Sequence, residues 1–173
     1  MAEHKETQGQ ETKRRRLAIV ASKGTLDMAY PPLILATTAA AMGWEAGIFF
    51  TFYGLDIINK KKWHRLKVAP LANPAMPSPI SSMPISVPNI VGVLPGMTEV
   101  ATAMMKSWME RAQMPSIQEL VQMCVDMGVQ LYACTTTMGV MGVSEEDLIE
   151  GVSCLGAAGF LDFAAEADVN LFI

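Results

Sequence analysis

The chain has 173 residues, the length of a single domain that can bury a substantial core. Apolar residues make up 51% of the chain, and this share excludes intrinsic disorder for most of it. The formal net charge of −4 at pH 7 argues against a protein that binds nucleic acid.

Charge is distributed unevenly along the sequence. The first sixteen residues, MAEHKETQGQETKRRR, carry five basic and three acidic side chains and are predicted to form a disordered tail. The run KKKWHRLK at residues 60–67 is basic, whereas residues 143–173 contain seven acids and neither Lys nor Arg. We interpret the basic run first as a solvated surface, and second as a docking patch for an anion or an acidic partner.

The sequence also bears on where the protein resides. No apolar core follows a basic start, so no secretory signal peptide is predicted. Three cysteines favour free thiols in a reducing compartment, and we expect a cytoplasmic protein. Pro31-Pro32 and Gly43-Trp44-Glu45 interrupt the apolar stretch at residues 26–53. The parts of this stretch are each short enough for a buried helix or a buried strand, whereas a bilayer span needs about 20 apolar residues. Peripheral association with a membrane stays open.

The body begins with a strand, a helix and a second strand. Residues 17–21 form a continuous apolar run that is typical of a central parallel strand. Residues 25–42 are predicted as a helix whose first turns Pro31 and Pro32 break or delay. Residues 45–53, EAGIFFTFY, are predicted as a second buried strand.

The middle of the chain is less regular. A short helix is predicted over residues 55–62, and the uncharged segment at residues 69–89 holds six of the ten prolines. Such a segment is better explained as an extended arm packed on something, such as a neighbouring subunit, than as a flexible linker. Residues 89–96 are predicted as a strand or a turn, and residues 97–113 have the apolar spacing of a helix.

The last third returns to alternating helices and strands. Ser116 and Glu119 form a capping-box pattern ahead of a helix over residues 117–127, which Gly128 ends. Residues 129–135 are predicted as a third clear strand.

The C-terminal elements complete the prediction. Short helices are expected over residues 144–151, capped by Ser144, and over residues 157–167, before a last strand at residues 168–173. This alternation predicts an α/β fold: one domain over residues 17–173, built as a three-layer sandwich with a mostly parallel sheet of about five strands and helices on both faces.

Ligands of such sheets bind beyond the carboxyl ends of the strands. Three such ends can be named: SKGT at residues 22–25, TFYG at residues 51–54 and CTTT at residues 134–137. If the strands are parallel, the three segments share one edge. Cys134 then lies in a loop at that edge, where it can meet another molecule.

Cys134 is the candidate reactive residue. The Lys23 ammonium, the threonine hydroxyls and the backbone N–H groups around Gly139 and Gly142 are expected to hold an anion and favour the thiolate. The candidate anion- or substrate-binding residues are Lys23, Gly24, Thr25, Thr135, Thr136 and Gly139. The simpler alternative is that Cys134 is an inert small hydrophobe at a strand end.

The other two cysteines have different surroundings. Cys124 shares an apolar helical face with Leu120 and Met127, and we predict that it belongs to the core. Cys154 is predicted at a loop-to-helix junction, either as a resolving thiol for Cys134 or as packing. No CxxC, GxGxxG or GxxxxGK[ST] motif occurs, and the Cys/His spacing fits no metal site, so no cofactor or metal is expected.

Several motifs together resemble the DsrE/DsrF/DsrH-like family of sulfur-transfer proteins, particularly its stand-alone, peroxiredoxin-like-labelled members. The motifs are SKGTLD, LPGMTEVATAMMK, PSIQELVQMCVDMGV, LYACTTTMGVMGV and EEDLIEGV. The resemblance implies an oligomeric α/β sandwich in which Cys134 receives sulfur, as a persulfide or a thiosulfonate, and passes it to a TusA-like partner. A methionine that is common in the family two residues after this cysteine is Thr136 here. No peroxidatic motif surrounds Cys134.

Two alternatives to a sulfur carrier stay open. One is a binding or assembly module in which Cys134 is buried and the sheet edge holds a small anion or nucleotide. The other is a thiol peroxidase or disulfide reductase, which requires Cys134 and Cys154 to pair.

Overall fold

The computed structural model describes residues 14–69 and 95–173. Five parallel strands form one sheet in the order β4-β3-β2-β1-β5. The strands are β1 (Arg16–Ala21), β2 (Glu45–Phe50), β3 (Gln130–Cys134), β4 (Val152–Leu155) and β5 (Val169–Phe172). The predicted α/β class and the parallel sheet are confirmed.

Within residues 14–69 and 95–173, five α-helices and three 3₁₀ segments accompany the strands. The α-helices are α1 (Leu26–Ala41), α2 (Met97–Arg111), α3 (Ile117–Asp126), α4 (Thr135–Met141) and α5 (Ala157–Ala165). The 3₁₀ segments are Phe52–Ile58, Trp63–Arg65 and Glu145–Asp147. Among the described residues, no helix is long and apolar enough to cross a bilayer.

The sheet separates two cores of unequal size. Alternate strand residues such as Ile19, Ile48 and Leu131 face α1 and α3 and form the larger core, against which α2 also packs. The residues between them, such as Ala18 and Phe49, face α5 and form the smaller core. Because side chains alternate along a strand, neighbouring residues of β3 belong to different cores.

Local sequence signals position α3 well. Ser116 Oγ accepts a hydrogen bond from the Glu119 backbone N–H at 3.2 Å, and a Glu119 carboxylate oxygen accepts one from the Ser116 N–H at 2.7 Å. Gly128 follows in the left-handed region, with φ of 73°. The predicted capping box and glycine stop are therefore confirmed.

Several element predictions are wrong in detail. Helix α1 begins at Leu26 and continues through Pro31 and Pro32, because the surrounding side chains are buried and compensate for the lost hydrogen bonds. Strand β2 ends at Phe50, and the segment that follows it is 3₁₀ rather than a separate short helix. The helix predicted over residues 144–151 is a single 3₁₀ turn with the Ser144 cap in place.

Other predictions concern the ends of the domain and its irregular segment. Strand β1 begins at Arg16, the last residue of the predicted tail, where its guanidinium pairs with Glu45 and Glu166. The rest of the tail up to residue 13, the proline-rich arm from residue 70 onward and the predicted strand or turn up to residue 94 lie outside the described residues.

Candidate functional site

Cys134 is the last residue of β3 and the N-cap of α4. The sequence predicted a loop here, but the chain passes directly from strand to helix and leaves the helix at Gly142, which has a φ of 64°. Threonine and glycine have low helix propensity, so sequence alone does not predict this seven-residue helix. Gly139 is therefore inside α4 rather than in a loop.

Two influences act in opposite directions on the pKa of the Cys134 thiol. Burial raises it, whereas hydrogen bonding with the side chains of Thr137 and Thr51 and with the backbone N–H groups of Thr137 and Thr136 lowers it. The hydrogen bonding outweighs burial, so the pKa lies below its ordinary value, which favours the thiolate.

The two threonine hydroxyls are also bonded to each other. Thr51 Oγ1 donates to Thr137 Oγ1 at 3.4 Å, and Thr137 Oγ1 donates to the Cys134 carbonyl at 3.1 Å. Thr51 follows β2 and Thr137 lies in the first turn of α4, and their exposed fractions are 9% and 4%. The end of β2 and the first turn of α4 therefore meet beside the backbone of Cys134, the last residue of β3.

The other side of the thiol is apolar. Cys134 packs in the smaller core with Phe49 and Phe160, whose rings stack at 4.6 Å between centroids. Leu155 of β4 lies beside Cys134 in the sheet register. Only 5% of Cys134 is exposed.

Cys154 lies on the neighbouring strand but on the opposite face. It is part of β4, and the predicted loop-to-helix junction is wrong. Its partner in the register is Ala133, and its sulfur lies 3.7 Å from the Met138 sulfur against the larger core. Burial, followed by the charge of Glu145, raises the pKa of this thiol. The structure therefore does not bring the Cys134 and Cys154 thiols together.

Cys124 is a core residue, as predicted. It is fully buried on α3, and burial raises the pKa of its thiol to about 12. Burial alone therefore raises the pKa of Cys124, whereas the pKa of Cys134 is lowered.

The predicted residues at the end of β1 occupy a separate position. Lys23, Gly24 and Thr25 line a cavity of about 450 Å³ whose other lining residues include Asp27 and Asp56 but not Cys134. Packing explains why residue 24 is a glycine, because a Cβ there would lie 2.1 Å from the Tyr53 carbonyl oxygen. Since β2 separates β1 from β3, two strand spacings of roughly 5 Å each separate these residues from the thiol.

The predicted residues on α4 are close to the thiol and exposed. Thr135 and Thr136 begin the helix directly after Cys134. A Cβ on Gly139 would meet nothing within 4 Å, so packing does not require glycine there. Among the described residues, no three His, Cys, Asp or Glu side chains are arranged to hold a metal ion.

Thr51 and Thr137 are site residues that the sequence analysis did not single out. Both belong to strand-end segments that it had named, TFYG and CTTT. The sequence contains one signal for Thr137: it follows Cys134 by three residues, and a side chain at this spacing lies close to the N-cap residue of a helix.

The sequence profile of the DsrE/DsrF/DrsH-like family matches residues 13–172. The chain belongs to this family. It is 46% identical over 160 residues to the sulfur carrier protein DsrE2 of Allochromatium vinosum, covering 92% of this chain and 99% of that protein. It is 32% identical over 162 residues to the uncharacterized protein YrkE of Bacillus subtilis, covering 92% and 97%.

A solved structure supports the DsrE-like fold. The crystal structure of the ychN protein from E. coli aligns with a TM-score of 0.55 over 92% of this chain and 99% of that chain. The sequence identity is 13%, so the similarity concerns the fold alone.

Proposed function

We propose that this protein is a sulfur carrier that accepts sulfur on Cys134 and passes it to a partner thiol. The observation that carries the proposal is the position of Cys134 at the junction of β3 and α4, where hydrogen bonding with Thr137, Thr51 and Thr136 lowers the pKa of its thiol although burial opposes this. The 46% identity to a protein named sulfur carrier protein DsrE2 supports the same assignment.

The chemistry is an exchange between a thiolate and a persulfide. The Cys134 thiolate attacks the outer sulfur of a donor R–S–S⁻, a new S–S bond forms at Cys134, and the donor leaves as R–S⁻. One thiolate and one persulfide are consumed and one of each is produced, so no external oxidant or reductant is needed. Delivery repeats the step with an acceptor thiolate attacking the outer sulfur held by Cys134.

A thiosulfonate is the second cargo that this site is proposed to carry. With tetrathionate as donor, the Cys134 thiolate attacks a central sulfur, the Cys134–S–SO₃⁻ adduct with one bridging sulfur forms, and thiosulfate leaves. Lys23, Gly24 and Thr25 are proposed to attract anionic donors to the edge. Thr135, Thr136 and Gly139 are proposed to contact the donor on α4.

The acceptor is proposed to be a TusA-like carrier or another protein with a persulfide-bearing cysteine. We also propose that the protein works as a homo-oligomer in the cytoplasm. These proposals extend the family assignment, and a sulfur relay requires a partner whose thiol reaches the exposed residues of α4 next to Cys134.

One observation favours a second function. Because only 5% of Cys134 is exposed, the thiol is also compatible with a packing role in a binding module. The cavity beside Lys23 and Thr25 would then bind a small anion or nucleotide. Alkylation of Cys134 at neutral pH as slow as that of Cys124 would support this function over the sulfur carrier.

Intact mass after incubation of the reduced protein with polysulfide or tetrathionate tests the proposal. We expect a dithiothreitol-reversible gain of about 32 Da per sulfur atom, or about 112 Da for a thiosulfonate. The gain should be absent in Cys134→Ser and present in Cys124→Ser and Cys154→Ser. Adducts that persist in Cys134→Ser would contradict the proposal.

A further inference from the structure

Helix α1 presents an apolar surface on the side that faces away from the sheet. We call this surface the α1 face, and its residues recur at the spacing of one side of a helix: Ile34, Leu35, Thr38, Ala41 and Met42. Ile34 and Leu35 are 38% and 41% exposed, and Met42, the C-cap residue, is 64% exposed. The opposite side of the helix, with Leu33 and Ala36, is fully buried in the larger core. The α1 face is therefore the outer side of a firmly packed helix.

Helix α3 extends this apolar surface. The two helices pack side by side, and the Cys124 sulfur of α3 lies 4.0 Å from the Leu33 carbonyl oxygen of α1. Met123 and Met127 of α3 are 41% and 39% exposed. Single exposed apolar residues need no explanation, whereas a group of them on neighbouring helices marks a contact surface. The α1 face and the two methionines form such a group.

The α1 face also differs from the outer sides of the other long helices in its charge. Residues 28–44 contain no Asp, Glu, Lys, Arg or His. In contrast, α2, α3 and α5 each expose a carboxylate, at Glu99, Asp126 and Asp162. The one hydroxyl on the α1 face is already bonded, because Thr38 Oγ1 donates to the Ile34 carbonyl at 2.7 Å. The α1 face thus carries neither a charge nor a polar group that needs a partner.

The absence of charge favours a second copy of the chain as the molecule that covers this face. The chain has a net charge of −4, so two copies repel each other unless they meet on uncharged surfaces. A two-fold contact places the same residues on both sides, and the α1 face meets itself without any like-charge pair. A helix that lies on a membrane usually presents Lys or Arg beside its apolar face, and α1 contains neither.

We propose that two copies of the chain pair through their α1 faces, about a two-fold axis that passes near Leu35. Leu35 lies close to the middle of α1, and this helix of 16 residues is about 24 Å long, which is enough to pack along a second helix. The inference rests on the homo-oligomer of the proposed function and names the surface that forms it. It does not depend on sulfur transfer.

Sedimentation-velocity ultracentrifugation of the full chain over a range of concentrations tests the pairing. Leu35→Glu and Leu35→Lys each place two like charges opposite each other across the axis, whereas an equimolar mixture of the two variants allows opposite charges to meet. Val100→Glu is the matched control, because Val100 is an apolar residue of α2 that is 51% exposed and lies outside the α1 face.

We expect the parent to sediment as a dimer or as a multiple of a dimer. Each Leu35 variant alone should weaken self-association by a factor of about 100 or more, because an unpaired charge is then buried at the contact. The mixture should associate within about tenfold of the parent. Val100→Glu should associate like the parent. Circular dichroism identifies a variant that unfolds, and Ile34→Glu and Ile34→Lys then take the place of the Leu35 pair.

Three outcomes would overturn the inference: a monomeric parent, parent-like assembly of both Leu35 variants, or no recovery of association in their mixture. If the monomeric parent also binds vesicles of phosphatidylcholine and phosphatidylglycerol, the α1 face contacts a membrane instead. Sulfur uptake on Cys134 is measured separately by intact mass. A parent that pairs through α1 but takes up no sulfur would refute the carrier function and leave the pairing standing, and a monomeric variant that takes up sulfur would do neither proposal harm.

Discussion

Cys134 and Cys154 lie one register position apart on neighbouring strands, but their environments differ. Burial raises the pKa of both thiols, yet donors from Thr137, Thr51 and Thr136 reverse the direction at Cys134, while the Glu145 charge adds to it at Cys154. Exposure does not explain the difference, because Cys134 is the more buried of the two. Hydrogen-bond donors around a thiol can therefore outweigh the effect of burial on its pKa.

The strongest test of the different placement of the two thiols is whether they can form a disulfide. Their side chains leave the sheet on opposite faces, and a disulfide requires Cβ atoms that point toward each other. We expect no peptide linking Cys134 to Cys154 after treatment of the folded protein with hydrogen peroxide or diamide. A protein unfolded in urea before oxidation is the positive control.

A Cys134–Cys154 disulfide in the folded protein would contradict the described placement of the two thiols. It would also favour the peroxidase or reductase alternative over a sulfur carrier.

Removal of the Phe160 ring, which packs in the same core as Cys134, should increase the difference in reactivity between the Cys134 and Cys154 thiols. Phe160→Ala deletes a side chain that is 5% exposed and stacked on Phe49, and we expect a loss of about 3 kcal/mol in the free energy of unfolding. Alkylation of Cys134 should accelerate because water and reagent gain access, while Cys154 should react as before. Leu161→Ala, on the exposed side of α5, is the control and should change neither the free energy of unfolding nor the alkylation rate of Cys134. Equal acceleration at both cysteines would show that Phe160 does not protect Cys134 specifically.

At Cys124, burial is the one influence that shifts the pKa of the thiol. Its pKa in the folded protein is about 12, above the ordinary value of about 8.5 expected in the unfolded chain. Because the folded pKa is raised, the neutral thiol's stabilisation is fully present below pH 8.5 and is lost as pH rises toward 12. At pH 10 the loss should reach about 2 kcal/mol.

Urea unfolding at pH 7 and pH 10 measures this loss. The difference in stability between the parent and Cys124→Ala should shrink by that amount, since Cys134 and Cys154 contribute equally to both proteins. A difference that stays constant with pH would mean that Cys124 is not desolvated as described.

The smallest expected effect concerns the charge beside Cys154. Glu145 raises the pKa of this thiol after burial has done so, and Glu145→Gln removes the charge while keeping the shape. We expect Cys154 alkylation at pH 8 to accelerate about threefold, because loss of the charge lowers the pKa and raises the thiolate fraction at that pH. Glu146→Gln is the control, and an equal effect from both variants would indicate general charge rather than local contact.

Much of the fold follows from sequence because its strands are continuous apolar runs that end at polar or glycine residues. β1, β2 and β3 were recognised in this way, and their parallel arrangement correctly placed Cys134 at a sheet edge. β4 was missed because VSCL is only four residues long, lies between Gly151 and Gly156, and has no clear alternation. The position of Cys154 was wrong for the same reason.

The candidate site was less accessible to sequence reasoning. Cys134 itself could be singled out from its position and from the family motifs. The Thr51–Thr137 contact depends on the register between β2 and β3 and on a helix that threonine and glycine do not predict. Lys23 was expected beside Cys134, but the strand order places β2 between them.

Single-turnover transfer of radiolabelled sulfur tests whether sulfur passes through Cys134. The protein is loaded with labelled polysulfide, freed of excess reagent and mixed with a TusA-like acceptor, for the parent, Cys154→Ser and Cys134→Ser. We expect label to reach the acceptor from the parent and from Cys154→Ser, and we expect Cys134→Ser neither to hold nor to deliver it. Delivery of label by Cys134→Ser at the parent's rate would show that Cys134 does not carry the sulfur.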